Sequence, residues 1–444
     1  MKTIFRNTVL IVLGSMLCAS AASAKWTNQS WLMSDGSVYL SVSALSATRA
    51  CAVGLNQTGS NPQPLFVCTS DGSKWNQVTI AATILPTAIL LADDQTGFMG
   101  ALLGGLYRSD DGAATWTKVQ GAAVAGPINE FVKSADGKTM LAVGSTKLLI
   151  STDSGKTWTQ KSFTLPAGDN LGALSVETDG AGTVWVAGGD PGAAPSTDSG
   201  TGQTIPGRPA SSGFVLVSHD SAATFETLES GLAYCVNDVE FINAKEGWLA
   251  GGADAGGAVV AYTEDGGKTW KAVKLPNLPD DERTLPNQTK GDLAVCLKVT
   301  FFSRNVGLVL CTTATFEVDG FNGLYLTKDG GKTWTLEPGF KAGYGADSQS
   351  ILFQASSQAF DMAMPDCSHG WVVGQRLLIH RYDADEKNRD CAAGGSAVPD
   401  GGADGGDGGA GESSRRGSGC GCDMAGKTNA SLMGSLISTL AMIF

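Results

Sequence analysis

Charged residues are scarce in this sequence, and basic residues are scarcer than acidic ones. Asp, Glu, Lys and Arg make up 17% of the 444 residues, and the formal net charge is −12. A chain with so few cations is poorly suited to neutralise a phosphate backbone, so we expect no nucleic-acid partner. The acidic balance instead favours solubility.

Histidine is nearly absent, which limits the possible metal chemistry. The three histidines are His219, His369 and His380, and none has neighbouring His, Cys or Asp residues at ligand spacing. The sequence also lacks a phosphate-binding loop and a serine-nucleophile elbow. We therefore expect neither a metal nor an organic cofactor.

The N-terminus lacks a hydrophobic run long enough to cross a bilayer. Lys2 and Arg6 precede an apolar stretch over residues 8–19, and residues 22–24 read Ala-Ser-Ala. A short basic region, a short apolar run and an A-x-A site are typical of a cleaved secretory signal. We expect residues 1–24 to be a signal peptide and the mature chain to be exported.

Glycine, by contrast, is abundant, with 59 copies, and a short glycine-containing pattern recurs. Each copy has Ser or Thr, then Asp two residues later, then small residues and a terminal Trp or Phe. The copies span residues 69–75, 109–116, 151–158, 218–225, 263–270 and 327–334, with aspartates Asp71, Asp111, Asp153, Asp220, Asp265 and Asp329. A short acidic side chain accepts hydrogen bonds from turn N–H groups, and glycine supplies a positive φ. We therefore assign these aspartates a structural role.

A second pattern, a short apolar strand with small residues, lies upstream of each copy. Residues 247–251 (Gly-Trp-Leu-Ala-Gly) are an example, and residues 370–374 form a seventh such strand without a following Asp turn. Four strands in about 42 residues is the size of a propeller blade. The repeats predict an all-β fold: a seven-bladed β-propeller of four-stranded antiparallel blades over residues 25–391. Residues 26–33 are expected to supply the missing strand of the last blade and close the ring.

Export permits disulfides among the ten cysteines. The pairs that we expect from their positions around turns are Cys51 with Cys68, Cys296 with Cys311, and Cys367 with Cys391. This arrangement leaves Cys235 unpaired. Connectivity cannot be deduced from spacing alone, so other pairings stay open.

The composition changes abruptly after Cys391. Residues 392–419 are almost all Gly, Ala, Asp and Ser, which predicts a flexible linker that cannot bury a core. Residues 420–444 begin with Cys-Gly-Cys and end in an apolar stretch that is short for a membrane span. We expect this last segment to be a sorting or anchor segment, with possible membrane attachment.

The repeat resembles that of the Asp-box, or bacterial neuraminidase repeat, proteins. The Gly-Trp-x-x-Gly strand followed by Thr-x-Asp-Gly-Gly-Lys-Thr-Trp is most similar to the photosystem II assembly and stability factor type of propeller. Sortilin-like ectodomains and xyloglucanases share the box. The resemblance covers residues 31–386 and implies the fold more strongly than any one function, because the box recurs in enzymes, receptors and assembly factors.

The C-terminus resembles a myxobacterial surface-sorting signal. Such signals have a linker, a Gly-Cys motif and a terminal hydrophobic segment, although the usual final arginine cluster is missing here. The resemblance implies that Cys420 or Cys422 is the point of processing and attachment. The alternative is a free tail with thiols or a disulfide. The expected location is the cell surface, the outer membrane, the medium or the periplasm.

Two functions remain, and the residues favour binding over catalysis. A sialidase needs an arginine triad that begins in a Phe/Tyr-Arg-Ile-Pro motif, which this sequence lacks, and a xyloglucanase-like hydrolase needs two facing aspartates. Long connections between strands fall at the end of the propeller opposite the Asp turns, where functional loops cluster. The candidate binding residues there are Asp280, Asp281, Glu282, Arg283, Phe316, Glu317, Asp319, Phe321, Tyr344 and Asp347. We predict a binding or assembly scaffold for a protein or glycan partner, and the alternative is a glycoside hydrolase.

Overall fold

The described part of the chain consists of β-strands joined by turns. The computed structural model describes residues 25–29, 37–56, 61–124, 126–167, 171–189, 213–230, 232, 235–252, 258–276, 293–313, 322–337, 359–375, 379–383 and 416–418. Over these ranges it contains no helix long and apolar enough to cross a membrane.

The first four blades contain sixteen strands, and each blade is continuous in sequence. Blade 1 contains β2 (Ser37–Ser46), β3 (Arg49–Asn56), β4 (Gln63–Thr69) and β5 (Asn76–Gln77). Blade 2 contains β6 (Pro86–Leu91), β7 (Gly97–Ala101), β8 (Gly105–Ser109) and β9 (Thr117–Ala123). Blade 3 contains β10 (Ile128–Lys133), β11 (Met140–Gly144), β12 (Lys147–Ser151) and β13 (Thr159–Ser162). Blade 4 contains β14 (Gly172–Thr178), β15 (Val184–Gly189), β16 (Phe214–Ser218) and β17 (Glu226–Leu228).

The remaining blades include one that joins the two ends of the ring. Blade 5 contains β18 (Val236–Phe241), β19 (Gly247–Gly252), β20 (Ala258–Thr263) and β21 (Lys271–Lys274). Blade 6 contains β22 (Leu293–Phe301), β23 (Gly307–Thr313), β24 (Asn322–Thr327) and β25 (Thr335–Leu336). Blade 7 contains β26 (Ala359–Ala363), β27 (His369–Gly374), β28 (Ile379–Asp383) and the N-terminal β1 (Lys25–Asn28).

The predicted seven-bladed β-propeller is confirmed. Each of the seven blades is a run of four antiparallel strands in chain order, except that β1 is the outer strand of blade 7. The register pairs Lys25 with Asp383 and Asn28 with His380, so the N-terminal segment closes the ring as predicted. Closure removes a free sheet edge, which would otherwise be open to pairing with other chains.

The hydrophobic core lies between the blades rather than in one central mass. Among the described residues, seven apolar clusters each join strands of two neighbouring blades. Aromatic pairs reinforce these layers: Trp185 stacks on Phe241 with ring centroids 3.8 Å apart. The aromatic residues that end the Asp turns make edge-to-face contacts, such as that of Trp158 with Phe98 of the preceding blade. The terminal aromatic of the repeat therefore contributes to packing.

Two of the predicted disulfides are confirmed. Cys51–Cys68 and Cys296–Cys311 link directly opposed residues of adjacent strands, with Cα atoms 4.1 and 3.8 Å apart. Cys367 is also disulfide-bonded, and Cys391 lies outside the described residues. The expectation that Cys235 stays unpaired is wrong, because it too is disulfide-bonded. Sequence spacing suggests pairs only around a shared turn, and Cys235 has no such neighbour.

A short C-terminal strand joins blade 3 from inside the ring. Strand β29 (Arg416–Ser418) pairs antiparallel with β10, the innermost strand of that blade. It lies within the segment that we expected to be a flexible linker. The innermost strand of a blade keeps one edge of N–H and C=O groups facing the axis, and an extended segment can pair with it.

Candidate functional site

The propeller has two different ends, which the described strands define. Turns between the first and second strands and between the third and fourth strands lie at one end, which we call the box end. Connections between the second and third strands and between blades lie at the other, which we call the loop end. Six of the turns at the box end are the Asp turns, for example between β20 and β21. The central channel, lined by the innermost strands, runs between the two ends.

Each Asp turn at the box end is held by its own hydroxyl and carboxylate. In the turn after β20, Thr263 Oγ1 donates to Asp265 Oδ1 at 2.8 Å and accepts from Gly267 N at 2.9 Å. Asp265 Oδ1 also accepts from Thr269 N at 2.9 Å. Hydrogen bonds from the Thr269 side chain and backbone lower the pKa of Asp265 to about 2. This carboxylate is therefore an ionised acceptor committed to the turn.

Two turns have alanine where the repeat has its later glycine. Ala113 and Ala222 nevertheless adopt positive φ values of 74° and 63°, like Gly155 at 75°. Their N–H groups still donate to Ser109 Oγ and Ser218 Oγ at 2.9 Å. The hydroxyl contact thus persists where the repeat sequence departs from its own pattern.

Donors from the preceding blade also engage the Asp turns. Arg108 Nη1 donates to Gly155 O at 2.8 Å and Trp248 Nε1 donates to Gly330 O at 2.9 Å. Arg49 Nη2 donates to Gly112 O at 3.0 Å. Arg381 Nη1 donates to Gly72 O in the same way across the closure. Arginines of the box end thus serve as links between blades.

The loop end carries the long connections, and the predicted binding residues fall in them. The described strands leave residues 190–213, 275–292, 314–321 and 337–358 to connect β15 to β16, β21 to β22, β23 to β24 and β25 to β26. Outside the described residues lie all ten candidates: Asp280, Asp281, Glu282, Arg283, Phe316, Glu317, Asp319, Phe321, Tyr344 and Asp347. Cys420 and Cys422 lie outside them as well.

The channel holds a ring of residues that sequence reasoning missed. Each innermost strand has a register shift in its pairing with the second strand, at the same relative position in all seven blades. The residues that follow these shifts are Ser41, Ala88, Glu130, Ser175, Asp238, Lys298 and Asp361, and all are buried. We call this set the channel ring.

Most members of the channel ring bind the backbone of the next blade. The bonds run from Ile89 N to Ser41 Oγ (3.2 Å), Val176 N to Glu130 Oε2 (2.8 Å), Val239 N to Ser175 Oγ (3.1 Å), Val299 N to Asp238 Oδ2 (2.8 Å) and Val42 N to Asp361 Oδ2 (2.7 Å). Satisfying a buried backbone N–H in this way links neighbouring innermost strands that share no ladder.

Lys298 is the cation of the ring and spans the channel. Its Nζ donates to Asp238 Oδ1 of the neighbouring blade at 2.8 Å and to Glu130 Oε1 of blade 3 at 2.5 Å. Burial raises the pKa of Asp238 to about 7 and that of Asp361 to about 6, even with Lys298 nearby. Glu240 lies two residues after Asp238 on β18, and burial raises its pKa as well.

The chemistry of this cluster is that of a packed polar core. The carboxylates of Glu130, Asp238 and Asp361 accept hydrogen bonds from backbone N–H groups, and all three are fully buried. Charged residues on a short strand with apolar ends, as in Val236–Phe241, were a visible sign of it. Within the described ranges, no group of three or more His, Cys, Asp or Glu side chains is placed to hold a metal ion.

Comparison with known proteins agrees with the fold. No protein-family model matches the chain, and no curated protein matches it. A solved structure of YCF48 bound to D1 peptide aligns with TM-score 0.52 and 12% identity, over 83% of this chain and 100% of that one. YCF48 from Cyanidioschyzon merolae aligns with TM-score 0.50 and 14% identity, over 81% and 98%. The GH74 xyloglucanase from Xanthomonas campestris aligns with TM-score 0.51 and 14% identity, over 80% of this chain but only 53% of the enzyme.

Proposed function

We propose that this protein is an exported propeller that binds a protein partner at its loop end and acts as a scaffold. The observation that carries the proposal is the division of the two ends. Turns at the box end are short and occupied by bonds within and between blades. The long connections all lie at the loop end. Variable loops on a rigid scaffold are where binding residues concentrate.

Two further observations support this assignment. One propeller of similar size, YCF48, is covered end to end by the alignment and was solved with a bound peptide. The two described disulfides fit an oxidising compartment, which agrees with export. A glycan partner and attachment to the surface through Cys420 or Cys422 remain parts of the proposal that only experiment can test.

The partner proposal is tested by comparing two triple variants that change the charge equally. The loop variant is Asp280→Ala/Asp281→Ala/Glu282→Ala. The control is Asp94→Ala/Asp110→Ala/Glu264→Ala, which removes three exposed acids at the box end. We expect the loop variant to reduce capture of envelope proteins about tenfold, the effect of losing one or two important contacts, whereas the control should capture them like the unaltered chain. Equal capture by all three proteins would contradict the proposal.

A glycoside hydrolase is the competing function and has a direct assay. The purified full chain is incubated with xyloglucan and with a sialylated glycoprotein, and released reducing ends and free sialic acid are measured. We expect neither product above a heat-denatured control. Sustained release of either product would replace the scaffold assignment with a hydrolase.

A further inference from the structure

Part of the loop end, from blade 1 to blade 3, presents a surface without charged side chains. Four connections at this end lie in stretches that contain no Asp, Glu, Lys, Arg or His: residues 75–92, 95–107, 119–129 and 139–146. We give the name uncharged surface to residues 80–85, 102–104, 123–124, 126–127 and 145–146. Its exposed members include Ala82, Thr83, Leu103, Ala123, Gly126 and Thr146.

The centre of the uncharged surface is the turn between β7 and β8. On one side of the turn, Leu102 N donates to Leu85 O at 2.8 Å. On the other side, Val124 N donates to Gly104 O at 3.1 Å. Gly104 has a φ of 78°, and any side chain there would collide with Val124 O. The backbone on either side of Leu103 is therefore held in place by the connections of two blades.

Leu103 itself is the apolar anchor of this surface. Among the described residues it is the one large hydrophobic side chain that is exposed, at 67%. A single exposed leucine is common on proteins, but this one lies in an uncharged area of a chain with a formal net charge of −12. Apolar patches with a polar border mark sites of association, because burying them releases water from apolar groups.

One cation borders the uncharged surface. A Cβ placed on Gly126 would lie 3.9 Å from Ser145 Oγ, so the turn between β11 and β12 lies next to the connection that enters blade 3. Lys147 follows this turn as the first residue of β12. It shares a face of the strand with Leu149, which belongs to the same apolar cluster as Val124. Lys147 is half-buried and has no ion pair with another described residue, so it can pair with a carboxylate of a partner.

We propose that the uncharged surface is the contact site for an apolar, uncharged segment of a protein partner with an acidic residue beside it. The apolar side chains of the segment pack around Leu103, and the carboxylate pairs with Lys147. The inference rests on the proposed partner binding at the loop end and adds the chemistry of the segment that is recognised. Charge favours this occupant over a second copy of the chain, because both copies would carry a net charge of −12.

Peptide selection on the full chain tests the apolar contact. A random peptide library displayed on phage is selected on the immobilised chain, and we expect enriched peptides to have several adjacent apolar residues next to Asp or Glu. Dissociation constants of synthetic copies are measured by fluorescence anisotropy. Leu103→Asp should weaken binding at least about tenfold. Gln77→Asp adds the same charge at an exposed position of blade 1 and should bind like the unaltered chain. Unchanged binding to Leu103→Asp would overturn the proposal.

Charge reversal tests the carboxylate contact. Lys147→Glu should weaken binding of the same peptides about tenfold, and replacing the acidic residue of the peptide by Lys should restore most of the loss. Lys156→Glu, at an exposed lysine of the Asp turn in the same blade, is the control and should change nothing. Absence of any restoration would overturn the pairing with Lys147.

Other occupants of the surface give different results. Self-association in sedimentation, or binding to phosphatidylcholine vesicles in flotation, that is lost in Leu103→Asp would assign the surface to a second copy or to lipid and overturn the proposal.

Failure of this inference is distinguishable from failure of the proposed function. If the peptides bind Leu103→Asp normally but Asp280→Ala/Asp281→Ala/Glu282→Ala still reduces capture of envelope proteins, only the role of the uncharged surface is wrong. If neither variant reduces capture, partner binding at the loop end is itself wrong.

Discussion

At the scale of single residues, Lys298 is the side chain from which we expect the largest effect. Replacing it by Met removes the cation that contacts Glu130 and Asp238 inside the channel. Removing one partner of a buried ion pair leaves the other charge buried and uncompensated. We therefore expect Lys298→Met to lower the free energy of unfolding by about 3–5 kcal/mol at pH 8. Equilibrium unfolding in urea measures this change in free energy.

The control for this change is Lys332→Met, which removes an exposed lysine 3.6 Å from Glu264. Surface pairs contribute about 0–1 kcal/mol, so this variant should be nearly neutral. The effect of Lys298→Met should also shrink at pH 5, because the raised pKa of Asp238, about 7, leaves that carboxyl neutral there. Equal destabilisation by the two variants at pH 8 would contradict the assigned role of Lys298.

The structural role of the Asp-turn residues could be predicted from the sequence, whereas the contacts of the channel ring could not, for a physical reason. Asp265 contacts groups within four positions of itself, and such local hydrogen bonds follow directly from the repeat. Lys298 meets Glu130 across 168 positions. Only the closed ring brings those two strands together, and the register shifts that turn the side chains inward carry no clear sequence signature.

At the scale of the strand, β28 contains the one buried histidine of the described residues, His380. Burial lowers the pKa of His380 to about 4, whereas an unfolded histidine has a pKa of about 6.5. As the pH falls from 6.5 to 4, His380 binds a proton in the unfolded chain but stays neutral in the folded chain. Stability is therefore lost over that interval, by about 1.4 kcal/mol for each unit of pKa difference.

The variant His380→Gln should remove this part of the pH dependence. We expect its free energy of unfolding, relative to the unaltered chain, to rise steadily between pH 6.5 and pH 4. Urea titrations at several pH values measure the difference. His219→Gln, a change at an exposed histidine, is the control and should leave the original profile unchanged. A constant difference for His380→Gln across this interval would show that the histidine is not the group responsible.

Strand positions were predictable where small residues and repeats mark them. The second strands, including residues 247–251 within β19, were found because glycines recur at their ends. The start of β22, at Leu293, could not be fixed in this way. Register shifts at two places in its pairing with β23 interrupt the regular alternation on which such a prediction depends.

At the scale of the whole molecule, counting repeats predicted the number of blades because each blade is a sequence unit with its own turn. The pairing of β29 with β10 could not be predicted in this way. It joins segments about 285 residues apart in sequence, and no local pattern in either segment marks the pairing. Closure by β1 was predictable because the last unit lacked one strand.

Closure of the ring centres on Gln29, immediately after β1. Its side chain accepts hydrogen bonds from Trp75 Nε1 of blade 1 at 2.8 Å and Trp371 Nε1 of blade 7 at 3.2 Å, and donates to Gly72 O at 2.7 Å. One amide thus joins the first blade to the last, whose outer strand β1 comes from the opposite end of the chain from its other three strands.

We expect Gln29→Leu to lower the free energy of unfolding by about 1–3 kcal/mol, because two indole N–H groups lose their acceptor inside a packed interface. Gln77→Leu, an exposed change on the outer strand of blade 1, is the control and should stay within about 0.5 kcal/mol of the unaltered chain. Unfolding is followed in urea by tryptophan fluorescence. Since a ring opens most easily where its two ends meet, blades 1 and 7 should lose hydrogen-exchange protection first in Gln29→Leu. Loss of protection spread evenly over all blades would mean that this seam is no weaker than the other interfaces.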